Sequence, residues 1–550
     1  HPGTPAPRNP GLPQWPVDGP TSPYRRRVVL AGSTIQALSR LYFDVEPLLA
    51  ADRRLLLRYS VFDGDRQDSA HRFARHRDLD LIDWDTVKAD PPDLIVSSGA
   101  SRSLHEPRAP FALLPHGAGH NRFTPYFDGV AGLARGQLRG PNGELPAYLA
   151  LPGPAAEKRL AIDCPEAVPY ADITGDLCLE RLKASARMRR EYRRGLGVRP
   201  EQRLVVVSST WLGHSLWAHH PQLPERLLAA LPMDDYAVAF IPHPNILAVH
   251  GSMEGLFRRQ LENGLIMVDP GEGWRATISA ADCVIGDHGS TTFYAAALGI
   301  PTAVAAFGRD EMPPESPLRA FGTLAPWFDS GGDLLDQVER LCESGPLKDD
   351  CFTEALAEPD PGPSQRIPAA ILRILGIEAA EAKSPHMLPL PSPVEHWRPT
   401  SAWRCVVEIE GGHAGWSRYP AVEGRGPHRS VGEFGAPGHL VADVRCLDQE
   451  ARDRADIITR HHGALPVAEA RDESRSLLKE HPMALAASVR LAPDELVWDS
   501  RDGRTLRAMC PPEYADAAAS IWLEAGKPDS AEWRLVGTGP EAALRVRPFN

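Results

Sequence analysis

From Arg27 to about Phe307, short apolar runs alternate with amphipathic stretches. The first series is VVLAGS (28–33), a helix to about Ala51, LLLRYSVF (55–62), DLIVSSG (93–99) and FALLPHG (111–117). A charged helical stretch, Leu179 to Leu196, precedes the second series: LVVVSST (204–210), YAVAFIPHP (236–244), GLIMVDP (264–270), DCVIGDHGS (282–290) and TAVAAF (302–307). Continuous apolar runs of strand length, separated by helical stretches, predict parallel sheets with crossover helices. The fold class is therefore α/β, with two Rossmann-like doubly wound parallel-sheet domains facing a cleft. Most of these runs end in His, Pro, Gly, Ser or Thr, and open α/β sheets hold their ligands at the carboxyl ends of the strands.

Outside this region the pattern changes. Residues 1–24 contain eight prolines and no apolar periodicity, which predicts an irregular arm. Residues 345–394 are rich in Pro, Ala and Glu and read as a linker with one short helix, Ile367 to Leu375, that packs back on the first half. Residues 395–550 mix strands (WRCVVEIE, HLVADVRC, ALAASVRL) with helices near Gln449 to His461 and Pro512 to Ala525. They predict an α+β appendage with no assigned chemistry. The two sheet domains then span 25–178 and 179–344.

A chain of 550 residues exceeds one core, in line with this division. Hydrophobic residues at 43% and charged residues at 24% are those of a globular protein. A formal charge of −12 opposes general affinity for nucleic acid. No run of about 18 apolar residues is present, so no transmembrane span is expected. The His-Pro-Gly-Thr start lacks a signal pattern, and a cytoplasmic location is the expectation; peripheral membrane contact and oligomeric state stay open. The eight cysteines form no C-x-x-C pair and read as reduced thiols.

The stretch IGDHGSTTFYAAALGIP, Ile285 to Pro301, carries the most chemistry. It predicts a buried strand end, a Gly/Ser/Thr turn, and a short helix stopped by Gly299 and Pro301. The first amides of that helix lack intrahelical partners and lie at the positive end of its dipole, which suits a phosphate. Gly289 permits close approach to the backbone, while Ser290, Thr291 and Thr292 offer hydroxyls to cap the helix or to bind phosphate oxygens.

The set LPHG, SSTW, PHPN and GDHGS, in that order, resembles the nucleotide-donor transferases of the GT-B fold. Within them it is most similar to the CDP-glycerol glycerophosphotransferase-like family, over roughly residues 25–340, including actinobacterial members of unassigned substrate. The resemblance implies an acceptor domain first and a donor domain second. It implies that His116, followed by Gly117, is a general base; an imidazole with a pKa near 6.5 accepts a proton from an acceptor hydroxyl at neutral pH. It implies that His243, in protonated form, neutralises the leaving diphosphate. This chain has Pro242, and no Arg, beside that residue. The family's Asp-Tyr-Ser-Ser turn matches Asp287, His288, Gly289 and Ser290, and a His in the Tyr position would add positive charge near a diphosphate. Ser208, Ser209, Thr210 and Trp211 match a donor phosphate or ribose contact. The loop from Asp269 through Glu272 to Trp274 matches the place where the base is held, with Trp274 as the stacking candidate.

The implied reaction moves a polyol-phosphate or glycosyl group from a nucleotide-diphosphate donor to a hydroxyl acceptor, without an obligatory cofactor or metal. Two rivals stand beside it. A nucleotide-sugar hydrolase or epimerase would need carboxylates at the reacting carbon, for which Asp163, Asp176 and Glu272 are candidates. A degenerate nucleotide-binding protein would keep the anion site without turnover. Asp63-Gly64-Asp65 reads as a turn rather than a metal pair, His116 and His120 are kept off one helix by Pro115, Gly117 and Gly119, and His214, His219 and His220 lack a fourth ligand. The arginines between Arg181 and Arg194 read as a solvated face or as the lining of an acidic acceptor path.

Overall fold

The computed structural model describes residues 26–64, 67–246, 252–269, 271–378, 385–422, 438–536 and 542–549. The proline-rich arm and Asp65 lie outside these residues. The first sheet holds β1 (Arg26–Gly32), β2 (Leu55–Val61), β3 (Leu94–Ser97), β4 (Phe111–Leu113), β5 (Tyr148–Leu151) and β6 (Ala171–Ile173) in the order β2-β1-β3-β4-β5-β6. Every pairing in it is parallel. All four residues of β3 are buried, because helices cover both faces of the sheet and favour an unbroken apolar run. Strands β5 and β6 extend the sheet beyond the predicted runs.

The second sheet holds β7 (Arg203–Ser209), β8 (Tyr236–Pro242), β9 (Ile266–Met267), β10 (Cys283–Gly286) and β11 (Thr302–Val304), in the order β11-β10-β7-β8-β9, also parallel. The strand order reverses between β1 and β3 in the first sheet and between β10 and β7 in the second. Loops leaving adjacent strands at such a point diverge and open a crevice. The two sheets present these ends to a shared cavity, so the lobes are Rossmann-like and their arrangement is that of the GT-B fold.

Beyond the second sheet the chain returns to the first lobe. The helix Pro363–Ile374 starts one turn earlier than the apolar spacing predicts, with Pro363 at its first positions, where a missing amide costs nothing. Its Ile367, Ala370 and Ile371 join Val28 and Leu30 in one core.

The C-terminal region closes into a barrel. Its strands are β12 (Ala402–Glu410), β13 (His413–Pro420), β14 (His439–Asp443), β15 (Ile457–Arg460), β16 (Ala486–Ala492), β17 (Glu495–Ser500), β18 (Thr505–Met509), β19 (Ala531–Leu535) and β20 (Ala542–Pro548). They follow one another as β12-β13-β19-β20-β18-β17-β16-β15-β14, and β14 pairs back onto β12. Strands β14, β15 and β16 are parallel and are joined by the helices Gln449–Arg454 and Val467–Glu480. The expected single helix from Gln449 to His461 is thus corrected. It stops at Arg454, and the β-branched Ile457, Ile458 and Thr459 are buried between two strands. All eight cysteines are free.

Candidate active site

A cavity of about 280 Å³ lies between the two Rossmann-like lobes. Gln36 reaches it from beyond β1 and His116 from beyond β4. Ser208 to Trp211 come from the end of β7, His243 from beyond β8, and His288 to Thr291 from beyond β10. Its wall contains three arginines (40, 122, 275) and four histidines (116, 120, 243, 288), and no Asp or Glu among the described residues.

The turn after β10 is held from below. Asp287 is fully buried, and its carboxylate accepts hydrogen bonds from the backbone amides of Thr210 (2.9 Å), Leu216 (2.8 Å) and Gly289 (2.9 Å). Burial pushes the Asp287 pKa up, while His288 and those amides pull it down. The bonds fix the β7 and β10 loops to each other. No side chain caps the helix Ser290–Ala297, so its first-turn amides keep their capacity for an anion. Gly289 has an ordinary extended backbone, with φ −77°, and its missing side chain serves the protein itself: a Cβ there would stand 3.1 Å from Asp287 Oδ1 and 3.3 Å from Thr210 Cβ.

Ser290 is exposed in the cavity, and its Oγ accepts the backbone N–H of Ala118 from the first lobe at 3.1 Å. That bond occupies a lone pair and leaves the hydroxyl proton available to a ligand oxygen. Gly117 permits the contact, since a Cβ at 117 would come within 2.7 Å of Ser290 Oγ. The loop bearing His116 is therefore seated on the anion turn. Within this crowded crevice desolvation lowers the His116 pKa; the Arg40 guanidinium lowers it further, and the Ser98 backbone opposes them. That direction favours the neutral imidazole a general base needs, and the residue itself stands exposed at the cavity.

At His243 the backbone N–H of Asn245 donates to Nδ1 at 3.1 Å, which leaves the ring proton on Nε2. Trp211 stacks on the ring with centroids 6.1 Å apart. The other ring nitrogen, Nε2, lies 3.4 Å from the side-chain nitrogen of Gln36. Permanent positive charge in the wall comes from arginines 40, 122 and 275.

The other predicted residues divide. Thr291 and Trp274 line the cavity; the Arg275 guanidinium lies 4.8 Å over the Trp274 ring and occupies one of its faces. Ser209 and Thr210 also line it, but Ser209 Oγ is spent on the Thr210 carbonyl (2.8 Å) and the Trp217 amide (2.8 Å). The His288 ring has no exposure: Nδ1 accepts the Gly308 amide at 3.1 Å, and Nε2 meets Glu311 at 3.2 Å together with Arg122. It serves as a bridge between the lobes rather than as a free charge. Thr292 is fully buried, with its hydroxyl against Gly286. Asp269 binds the amide of Gly271 at 2.7 Å, and Glu272 is buried against Arg275; neither reaches the cavity.

Sequence reasoning missed Gln36, Arg40, Arg122, Arg275 and Tyr294, all of them in the wall. Arg40 and Arg275 belong to a buried ionic knot. Arg40 binds Asp44 at 2.8 Å, Asp176 at 2.9 Å and the Tyr294 hydroxyl at 3.1 Å, while Arg275 binds Asp44 at 3.1 Å and also Glu272. Arg181 completes it against Asp44 at 2.5 Å. Burial pushes the Asp44 carboxyl up, but Arg275, Arg40 and Arg181 outweigh it and hold its pKa at about 2.

Distant matches are found among solved structures. A structure of the wall teichoic acid polymerase TagF matches at 12% identity and TM-score 0.34, covering 52% of this chain and 70% of that one. A putative UDP-N-acetylglucosamine 2-epimerase from Listeria monocytogenes matches at 14% and 0.37, and an S. aureus MnaA–UDP co-structure at 13% and 0.40. Each of these two covers 66% of this chain and 100% of its own. No protein-family model and no curated protein matches the sequence. No helix among the described residues is long and apolar enough to cross a membrane.

Proposed function

We propose that the protein is a GT-B transferase that moves a polyol-phosphate or glycosyl group from a nucleotide-diphosphate donor to a hydroxyl acceptor, in the manner of the CDP-glycerol glycerophosphotransferase-like enzymes. The observation that carries this reading is the wall of the crevice, which among the described residues holds Arg40, Arg275, His116, His120 and His243 and no carboxylate; Arg122 and His288, also in the wall, are held by Glu311. Such a wall suits a diphosphate, and it disfavours the hydrolase or epimerase alternative. The carboxylates which that chemistry would need are engaged elsewhere: Asp163 binds Arg159 at 2.6 Å, Asp176 binds Arg40, and Glu272 binds Arg275.

In the proposed reaction the second lobe takes the donor diphosphate at the amino end of the helix Ser290–Ala297. The Ser290 hydroxyl and His243 Nε2 donate to its oxygens, and the guanidiniums of Arg40 and Arg275 stabilise the charge that grows on the leaving group. The acceptor hydroxyl lies against His116, which takes its proton as the new bond to phosphorus or carbon forms and the bond to the diphosphate breaks. No covalent intermediate is required. Trp274 and Trp211 are the aromatic surfaces for the base.

The test is a thermal-shift series with CDP, UDP, GDP, ADP and dTDP. One nucleoside diphosphate at about 100 times its dissociation constant adds about 2.7 kcal/mol of stability. Ser290→Ala combined with His243→Ala removes most of that shift. An unchanged response in the double variant would refute the pocket.

A further inference from the structure

A second cavity, of about 510 Å³, lies in the C-terminal barrel at the carboxyl ends of its three parallel strands. Asp443 closes β14, His461 and His462 follow β15, and Arg490 lies in β16; Asp516 begins a neighbouring helix, and Arg398 lies on the segment entering the barrel. The topological rule that places the first crevice thus applies a second time within one chain.

Three carboxylates (Glu262, Asp443, Asp516) and three guanidiniums (Arg398, Arg445, Arg490) line this cavity. Each carboxylate is already paired: Asp443 with Arg445 at 2.8 Å, Asp516 with Arg418 at 2.7 Å, and Glu262 with Arg258 at 2.6 Å, with Arg418 shared with Asp234 at 2.5 Å. Arg398 and Arg490 have no carboxylate partner among the described residues. Arg490 donates from Nε to the His461 carbonyl at 2.8 Å, and Arg398 donates to the carbonyls of Glu395 and Trp397, each at 2.7 Å. These bonds orient both guanidiniums without neutralising them.

His461 is fixed by Asp516 at Nδ1 (2.7 Å) and by Ser488 Oγ at Nε2 (2.9 Å). The trio has the order of nucleophile, base and orienting acid. However, Ser488 is 1% exposed and is not part of the cavity wall, so it cannot attack a bound substrate. The trio instead anchors the His461 backbone from which Arg490 is held.

We propose that this cavity is a second ligand site for a phosphorylated small molecule. The phosphate sits between Arg490 and Arg398, and the organic body fills the remaining volume against Trp403 and Leu447. Two unneutralised guanidiniums match a dianion, and the cavity is far larger than a lone phosphate needs.

The experiment is calorimetric titration of phenyl phosphate into the full-length chain carrying Ser290→Ala and His243→Ala. The crevice is weakened in this background, and the substitutions at Arg398 and Arg490 assign the remaining binding to the barrel cavity. One saturable site is expected, with benzoate and matched chloride much weaker. Arg398→Gln together with Arg490→Gln weakens binding about tenfold or more. Should Arg490→Gln impair folding, the exposed Arg398→Gln alone weakens it about threefold. Absence of saturation, affinity that survives both substitutions, or equal binding of benzoate would overturn the proposal.

Discussion

The two lobes meet in two regions that use the same residue types in opposite ways. In the ionic knot, Arg40, Arg181 and Arg275 face Asp44, Asp176 and Glu272, three charges against three, and all six residues are buried. The crevice wall also carries arginines and histidines, with no Asp or Glu lining it among the described residues. Saturated charge fixes how the lobes sit, whereas donors left over are what a ligand can use. Arg40 and Arg275 belong to both regions, held by one and presented to the other.

The comparison breaks most sharply at Asp44. Asp44→Ala leaves three guanidiniums in a buried site with one acceptor fewer, and it should cost about 3–5 kcal/mol in urea unfolding. A loss below 1 kcal/mol would mean that the knot is not what holds the lobes. His116→Gln is expected to do the reverse: kcat falls about a hundredfold, ~2.7 kcal/mol in the barrier, while the melting temperature barely moves. The acid limb of the wild-type rate profile should lie below pH 6.5, because the His116 pKa is lowered and the base loses its function only once it is protonated. A limb above pH 6.5 would exclude it as the base.

The smallest effect sharpens the contrast. Desolvation, with His116 adding to it and the Ala131 carbonyl opposing, lowers the His120 pKa to about 4. The unfolded chain binds that proton near pH 6.5 and the folded chain does not, so stability falls as pH drops from 6.5 towards 4, by on the order of 1–3 kcal/mol. Chemical unfolding at several pH values, wild type against His120→Gln, should show a shallower fall in the variant. Identical slopes would remove His120 from this account.

Much of the sheet architecture was legible because parallel strands covered on both faces need unbroken apolar runs, as in Leu204–Val207 and Val28–Ala31. Strands β5 and β6 were missed because they are short, β5 running into Pro152 and Pro154 and β6 following Pro165 and Pro169. The barrel was largely missed for another reason. In β18 and β20 buried residues alternate with exposed Arg and Met, a pattern that resembles a polar loop until closure supplies the partner strands. In the crevice, His116, His243 and Ser290 were found because they sit just past strand ends in short motifs. Arg40 and Arg275 lie inside ordinary helices, and only the packing of the two lobes brings them together. The rings of His288 and Glu272's carboxylate show the converse: the motif placed the residue correctly in the chain, but burial took its polar atoms away from the cavity.

The return of the helix Pro363–Ile374 to the first lobe has a mechanical consequence. The polypeptide crosses from one lobe to the other near Asp176 and comes back past Cys351, where Ala357 bonds the Pro152 carbonyl at 2.7 Å. Two such crossings tether the lobes at two points along the chain, and the Arg122–Glu311–His288 contact joins them at a third.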